Sequence, residues 1–189
     1  MNSAALKALQ DLNLATNSNN EITAAKLREF TTELIKGVGG WVHYQNSSST
    51  KQTILADTET LLTNDGGGDD TLLTYKPYYV ENALLSSNAI QLSELATGTI
   101  VHGLFNSQIT TTANNTEIKL KAKFKNSEGT VISTYDFANI AFKTQGNHSI
   151  NQTGIFFVAN GYVNGTIEFY AEADESFQIL WTNLTLDIH

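Results

Sequence analysis

Apolar positions recur along this chain with two different periods, and the change from one to the other falls between residues 35 and 41. Before the change, Leu27, Phe30, Leu34 and Ile35 recur at i, i+3, i+7 and i+8, which is the spacing of one apolar stripe on an α-helix. Thr23 is placed to cap that helix by accepting from an orphan backbone N–H, and Ile22 with Leu27 has the spacing of a hydrophobic staple. Gly37 suits the left-handed residue that ends the helix, and Gly39-Gly40 loosens the chain before Trp41. A helix this short is marginal alone in water, so its stripe predicts a partner: the helix before it, or copies of itself in other subunits. Residues 2–14 predict that first helix, with Leu6, Leu9 and Leu12 three apart, and residues 17–20 (NSNN) make a polar break. Neither helix carries the three or four heptads that would establish a coiled coil.

From Trp41 onward the period is two. Ile118, Leu120, Ala122 and Phe124 alternate with Lys119, Lys121, Lys123 and Lys125, which predicts a half-buried strand. Asn126-Ser-Glu-Gly129 predicts a hairpin turn into residues 130–135. Ile155, Phe157 and Ala159 alternate before an Asn160-Gly161 turn signal, and Ile167, Phe169 and Ala171 alternate with Glu168, Tyr170 and Glu172. In the last strand Phe177, Ile179 and Trp181 share one parity, and Leu184, Leu186 and Ile188 the other. That slip at Thr182-Asn183 predicts a β-bulge. Runs near 41–45, 52–56, 58–63, 71–75, 89–92, 99–109, 117–125, 130–135, 137–144, 153–159, 162–171 and 177–188 predict about eight to twelve strands with no helical pattern between them. The expected fold is therefore mainly β: a jelly-roll-type antiparallel β-sandwich with one or two short N-terminal α-helices. Residues 1–40 form a helical anchoring and oligomerisation segment in this reading, and residues 41–189 the β-knob.

Composition narrows the function. The chain has 189 residues, a formal net charge of −8 and a pI near 4.8, so a nucleic-acid backbone is not an expected partner. Asn (19) and Thr (24) supply nearly a quarter of the residues, which suits many strands joined by many turns. Absence of cysteine excludes disulfides, zinc-thiolate sites and thiol catalysis. The first residues lack a basic n-region and a long apolar core, so no signal peptide is expected. No run reaches the roughly 20 apolar residues that span a bilayer, and no membrane insertion is expected.

Candidate chemistry is sparse. His43, His102, His148 and His189 form no metal-ligand spacing, and no nucleophile elbow, phosphate loop or dinucleotide fingerprint is present. The expectation is a protein with no catalytic residues and no cofactor. Asp65, Asp69 and Asp70, around three glycines, are a weak candidate for a hard cation such as calcium. Acidic pairs for sugar hydrolysis exist (Asp174-Glu175, Glu168 and Glu172), but acids on a turn or an exposed face are their ordinary reading. Tyr78 and Tyr79, just after Pro77, are the candidates for ligand stacking.

Residues 22–35 (ITAAKLREFTTELI) and 39–65 (GGWVHYQNSSSTKQTILADTETLLTND) resemble the start of many bacteriophage virion proteins, in which a similar helix precedes a fibre, spike or head-decoration domain. The closing stretch, residues 161–189, resembles more weakly the last strands of trimeric TNF-like jelly-roll knobs. The resemblance implies a homotrimer on the virion surface, made in the bacterial cytoplasm. Its N-terminal helices would meet a capsid or other virion protein, and its knob would face outward to a host cell-surface glycan. The chain lacks a long heptad or triple-β shaft, which favours a short spike or head fibre. Leu27, Phe30, Leu34 and Ile35 are the residues expected to carry assembly. The alternative expectation is a monomeric carbohydrate-binding module or adhesin domain.

Overall fold

Alternation at every second residue folds into two antiparallel sheets packed face to face. The computed structural model describes residues 26–29, 31, 39–77 and 79–189. The strands run in chain order as β1 (Gly40–Gln45), β2 (Gln52–Ile54), β3 (Thr60–Leu61), β4 (Leu85–Ser86), β5 (Ala89–Gln91), β6 (Ile100–Thr111), β7 (Thr116–Lys125), β8 (Val131–Phe142), β9 (Gly146–Phe157), β10 (Thr166–Ala173) and β11 (Phe177–Ile188). One sheet has the order β1-β11-β6-β9, with β2 also on β11. The other has the order β4-β5-β10-β7-β8, with β3 also on β10. The chain crosses between sheets from β6 to β7, from β8 to β9, from β9 to β10 and from β10 to β11, which is jelly-roll topology.

Strand β11 carries the core. Phe177, Ile179 and Trp181 are buried from its first half, and Leu184, Leu186 and Ile188 from its second. Its register against β6 shifts between Trp181 and Asn183, so the expected bulge is present and turns both apolar sets inward. Trp181 stacks on Phe105 at 5.0 Å and meets Phe169 edge-on at 5.0 Å. Phe137 closes the cluster against Phe105 and Phe169. The carbonyls freed by the bulge are recovered locally. The Asn46 side chain donates to the Trp181 carbonyl at 3.0 Å, and the Asn46 N–H donates to the Thr182 carbonyl at 2.8 Å.

Elsewhere the pattern holds with local differences. The Asn126–Gly129 turn joins β7 to β8, with Gly129 at φ +79°. The expected runs 130–135 and 137–144 are one strand, β8, because two register shifts against β7 carry the chain through without a break. Strand β9 begins at Gly146, well before the expected 153, since its first half pairs with β6 while burying only Ile150. Residues 71–75 are not a strand but a loop, joined to β1 by a bridge between His43 and Leu72, with the Trp41 N–H donating to the Tyr75 carbonyl at 3.0 Å and the Gln45 N–H to the Thr71 hydroxyl at 3.0 Å.

The outer face of the second sheet is a charge ladder. Lys121 and Lys125 of β7 lie 2.8 and 2.7 Å from Glu172 and Glu168 of β10, and Glu59 pairs with Lys121 and Lys123. The Tyr170 hydroxyl donates to the Glu168 carboxylate at 2.6 Å, and the Lys123 ammonium lies 4.2 Å from the Tyr170 ring centroid. Burial, and then the bonded carboxylate of Glu168, push the Tyr170 hydroxyl up to about 12. The unfolded value lies near ~10. The folded state therefore resists Tyr170 ionisation, and stability is lost as pH rises from about 10 to about 12.

Two outcomes test this account. Trp181→Ala is expected to cost about 3–5 kcal/mol in urea unfolding, because it empties the centre of the aromatic cluster. Tyr170→Phe is expected to make the fall of the melting midpoint between pH 10 and about 12 shallower than in the wild type, as followed by calorimetry.

Candidate functional site

The residues singled out in the sequence come to different places. Phe30, Leu34, Ile35 and Tyr78 lie outside the described residues. Leu27 is 56% exposed, on a helical stretch where the Thr31 hydroxyl donates to its carbonyl at 2.7 Å. Tyr79 is no free stacking platform: it is half-buried, packed against the core, and bonded to the Thr99 side chain. Burial raises its hydroxyl above the ordinary value.

The acidic glycine-rich loop is a scaffold built on β1. Gly66 has φ +65°, and a Cβ there would stand 2.9 Å from the Tyr44 ring; a Cβ on Gly68 would meet the Gln45 side chain at 2.5 Å. The Asp65 carboxylate accepts from the Ser47 hydroxyl, the Ser47 N–H at 2.9 Å and the Gly67 N–H at 3.0 Å. These bonds hold its pKa below the usual carboxylate range, the Ser47 hydroxyl contributing most. Asp70 receives the Gln45 amide at 3.2 Å, while its own N–H donates to Gln45 Oε1 at 3.0 Å. Two of the three expected cation ligands thus already bind loop donors. Among the described residues, no group of three or more His, Cys, Asp or Glu side chains is arranged to hold a metal ion.

These bonds bolt the loop after β1 to the loop around residues 65–71 and leave a cleft of about 520 Å³ on the outer face of the first sheet. Gln45, Asn46, Ser47, Asp69, Gln108 and Asn183 line it, with Leu180 behind them. The cleft lies where β1 stops pairing with β11 at Asn183 and β2 takes over at Ile179.

A second feature lies toward the other end of the same face. Cross-strand pairing aligns Trp41, Asp187, His102 and Ile155 in one row, with Ile100 opposite Phe157 beside it. Trp41 stacks on Tyr75 at 5.0 Å, and Asp187 lies 3.2 Å from the His189 imidazole. Ile155 is 69% and Phe157 62% exposed. Their parity is the reverse of the apolar alternation in the sequence: Gly154 and Phe156 take the more buried positions and Ile155 and Phe157 the outer ones. Beside them, between the edges of β8 and β9, the sheets part around a cavity of about 250 Å³. Phe105, Phe124, Phe137, Phe156 and Phe169 line it, and Tyr135 is exposed alongside. Both edges are twelve residues long, and Asp136 is the only Asp, Glu, Lys or Arg on them.

No family model matches the chain, and no curated protein matches it in sequence. Solved structures share parts of the fold at low identity. A chain of the infectious bursal disease virus Gt strain structure is 11% identical over 81% of this chain, with a TM-score of 0.47. Eiger TNF from S. frugiperda is 8% identical over 79% of this chain and 91% of its own, with a TM-score of 0.48. The CBM22-1 xylan-binding domain of Paenibacillus barcinonensis Xyn10C is 9% identical over 80% of this chain and 97% of its own, with a TM-score of 0.43. The chain spans about a third of the length of the infectious bursal disease virus chain. No helix of the described residues is long and apolar enough to cross a membrane.

Because the folded pKa of Asp65 is depressed, its contribution is present above the unfolded carboxylate value near ~3.9 and lost as pH falls through the folded one. Hydrogen exchange is expected to show the Ser47 and Gly67 amides losing protection in Asp65→Ala, and in the wild type as pH falls through the depressed Asp65 value. Asp69→Ala is expected to leave both amides protected.

Proposed function

We propose that this chain is a non-enzymatic structural protein of a bacteriophage virion, a homotrimeric spike, head fibre or decoration protein. Residues 1–40 attach it to a capsid or other virion protein, and the β-knob faces the host. The observation that carries this reading is the exposed apolar row of Ile100, Ile155 and Phe157 beside the long, nearly uncharged edges of β8 and β9. Large exposed apolar patches and unprotected sheet edges favour association with another surface. The outward row lies on a sheet face and the β8–β9 opening lies at the sheet edge, so the two are unlike surfaces that meet along β9. A contact between unlike surfaces is heterologous, and with a suitable rotation it closes into a ring. Trimerisation would cover both and would present three copies of any weak site at once, so that avidity replaces affinity. In this reading the stripe of Leu27, Phe30, Leu34 and Ile35 adds an anchoring or assembly element at the virion end.

The second reading, a monomeric carbohydrate-binding module, has the amide-lined cleft in its favour. Native mass spectrometry separates the two. The trimer reading expects three chains, and a monomer at micromolar concentration would overturn it. Ile155→Asp with Phe157→Asp is expected to shift the mass to that of one chain while the far-ultraviolet spectrum stays β-rich. Phe30→Asp with Leu34→Asp reports separately on the helix: a surviving trimer would limit that segment to anchoring.

A further inference from the structure

From the cleft between the loop after β1 and the loop around residues 65–71, we infer a binding site for a neutral oligosaccharide. The inference rests on the reading of this protein as a virion knob, and it moves the glycan site away from Tyr78 and Tyr79. The walls are held in place before any ligand arrives. Asn46 donates its amide to the Thr63 and Trp181 carbonyls, Asp65 clamps Ser47, and the Gln45 side chain is bonded to Asp70 at both ends. Rigid walls lower the ordering cost of binding.

The polar groups left over are of the right kind. Among the described residues, the Asp69 carboxylate and the Gln108 side-chain amide make no hydrogen bond within the chain. The Oδ1 atom of Asn183 is buried without a partner, which leaves its amide nitrogen as the end available at the cleft. A carboxylate acceptor, an amide that both donates and accepts, and an amide donor match the vicinal hydroxyls of a sugar, each of which donates and accepts. The rest of the lining is serine, threonine, asparagine, glutamine and glycine, with Leu180 as apolar backing.

Charge and shape exclude the other classes. The lining holds no cation, and the chain carries a net charge of −8, so sulfated or uronic-acid sugars and nucleic acids meet repulsion. An apolar peptide would find one leucine and no aromatic anchor.

The position also suits the role. Strand β1 enters at Gly40 and leaves at Gln45, which puts the cleft about 17 Å along the strand from the N-terminal segment. The row from Ile155 through His102 and Asp187 reaches β1 at Trp41, four residues before Gln45 in the same outward parity. A knob anchored through its N-terminus and joined through the row keeps this cleft accessible.

The test uses the full chain on an array of neutral and acidic bacterial surface oligosaccharides, beside native mass spectrometry of the same samples. Neutral oligosaccharides are expected to be retained. Gln108→Ala and Asp69→Ala are each expected to weaken retention at least tenfold, with unchanged mass and melting midpoint, since neither side chain bonds within the fold. Three results would overturn the site: no retention by an intact oligomer, retention of acidic sugars alone, or retention unchanged in both variants. A monomeric mass with cleft-dependent retention would overturn the virion-knob reading and leave the site standing.

Discussion

The fold depends on one strand burying two apolar sets of opposite parity. With a strict period of two, β11 could turn either Phe177, Ile179 and Trp181 or Leu184, Leu186 and Ile188 toward the core, but not both. The register shift between Trp181 and Asn183 resolves the conflict and has three further effects. It sets Trp181 against Phe105 and Phe169 at the centre of the sandwich. It frees backbone carbonyls that Asn46 must satisfy, which fixes the start of the loop after β1. It also divides the edge beside β11 between β1 and β2, and the cleft opens at that division.

The parts legible in the sequence were those where one strand face is buried and the other wet. The lysine ladder of β7 and the slip in β11 came from alternation alone, and the hairpin at Asn126–Gly129 from its turn residues. Edge strands were read less well, because an edge buries little. The first half of β9 turns Asn147, Ser149 and Asn151 outward and buries only Ile150, so it resembles a polar loop. Its second half misled in the other direction. Ile155 and Phe157 formed the visible apolar alternation, yet Gly154 and Phe156 occupy the more buried parity. No local rule decides which parity an edge strand buries; pairing with β6 decides it here.

The candidate site was legible as composition and not as arrangement. Three aspartates around three glycines suggested a cation, since a sequence counts carboxylates without showing which already accept hydrogen bonds. Folding commits Asp65 to Ser47 and Gly67 and Asp70 to Gln45, leaving Asp69 alone at the cleft. Gln108 lies about forty residues from that loop and carries no local signal. It reaches the cleft only because β6 pairs with β11 opposite Leu180. Tyr79, conspicuous beside Pro77, turned out to be packed against the core.

The two ends of the outer face of the first sheet follow opposite logics. Near Gly40 the outward positions hold Trp41, Ile100, Ile155 and Phe157 around the polar pair Asp187 and His102, and the apolar side chains among them gain by losing water. Near Asn183 the outward positions hold Gln45, Asn106, Asn151 and Gln108, which water already satisfies. A surface that binds polar ligands has to stay wet, whereas one that assembles has to become dry. Under the proposed reading, separating them along the strand axis would let one sheet serve both without competition. The charge ladder on the second sheet reinforces the division. Lys121, Lys123 and Lys125, with Glu59, Glu168 and Glu172, keep that face hydrated, which under the proposed reading would leave association to the side where β8 and β9 leave the sandwich open.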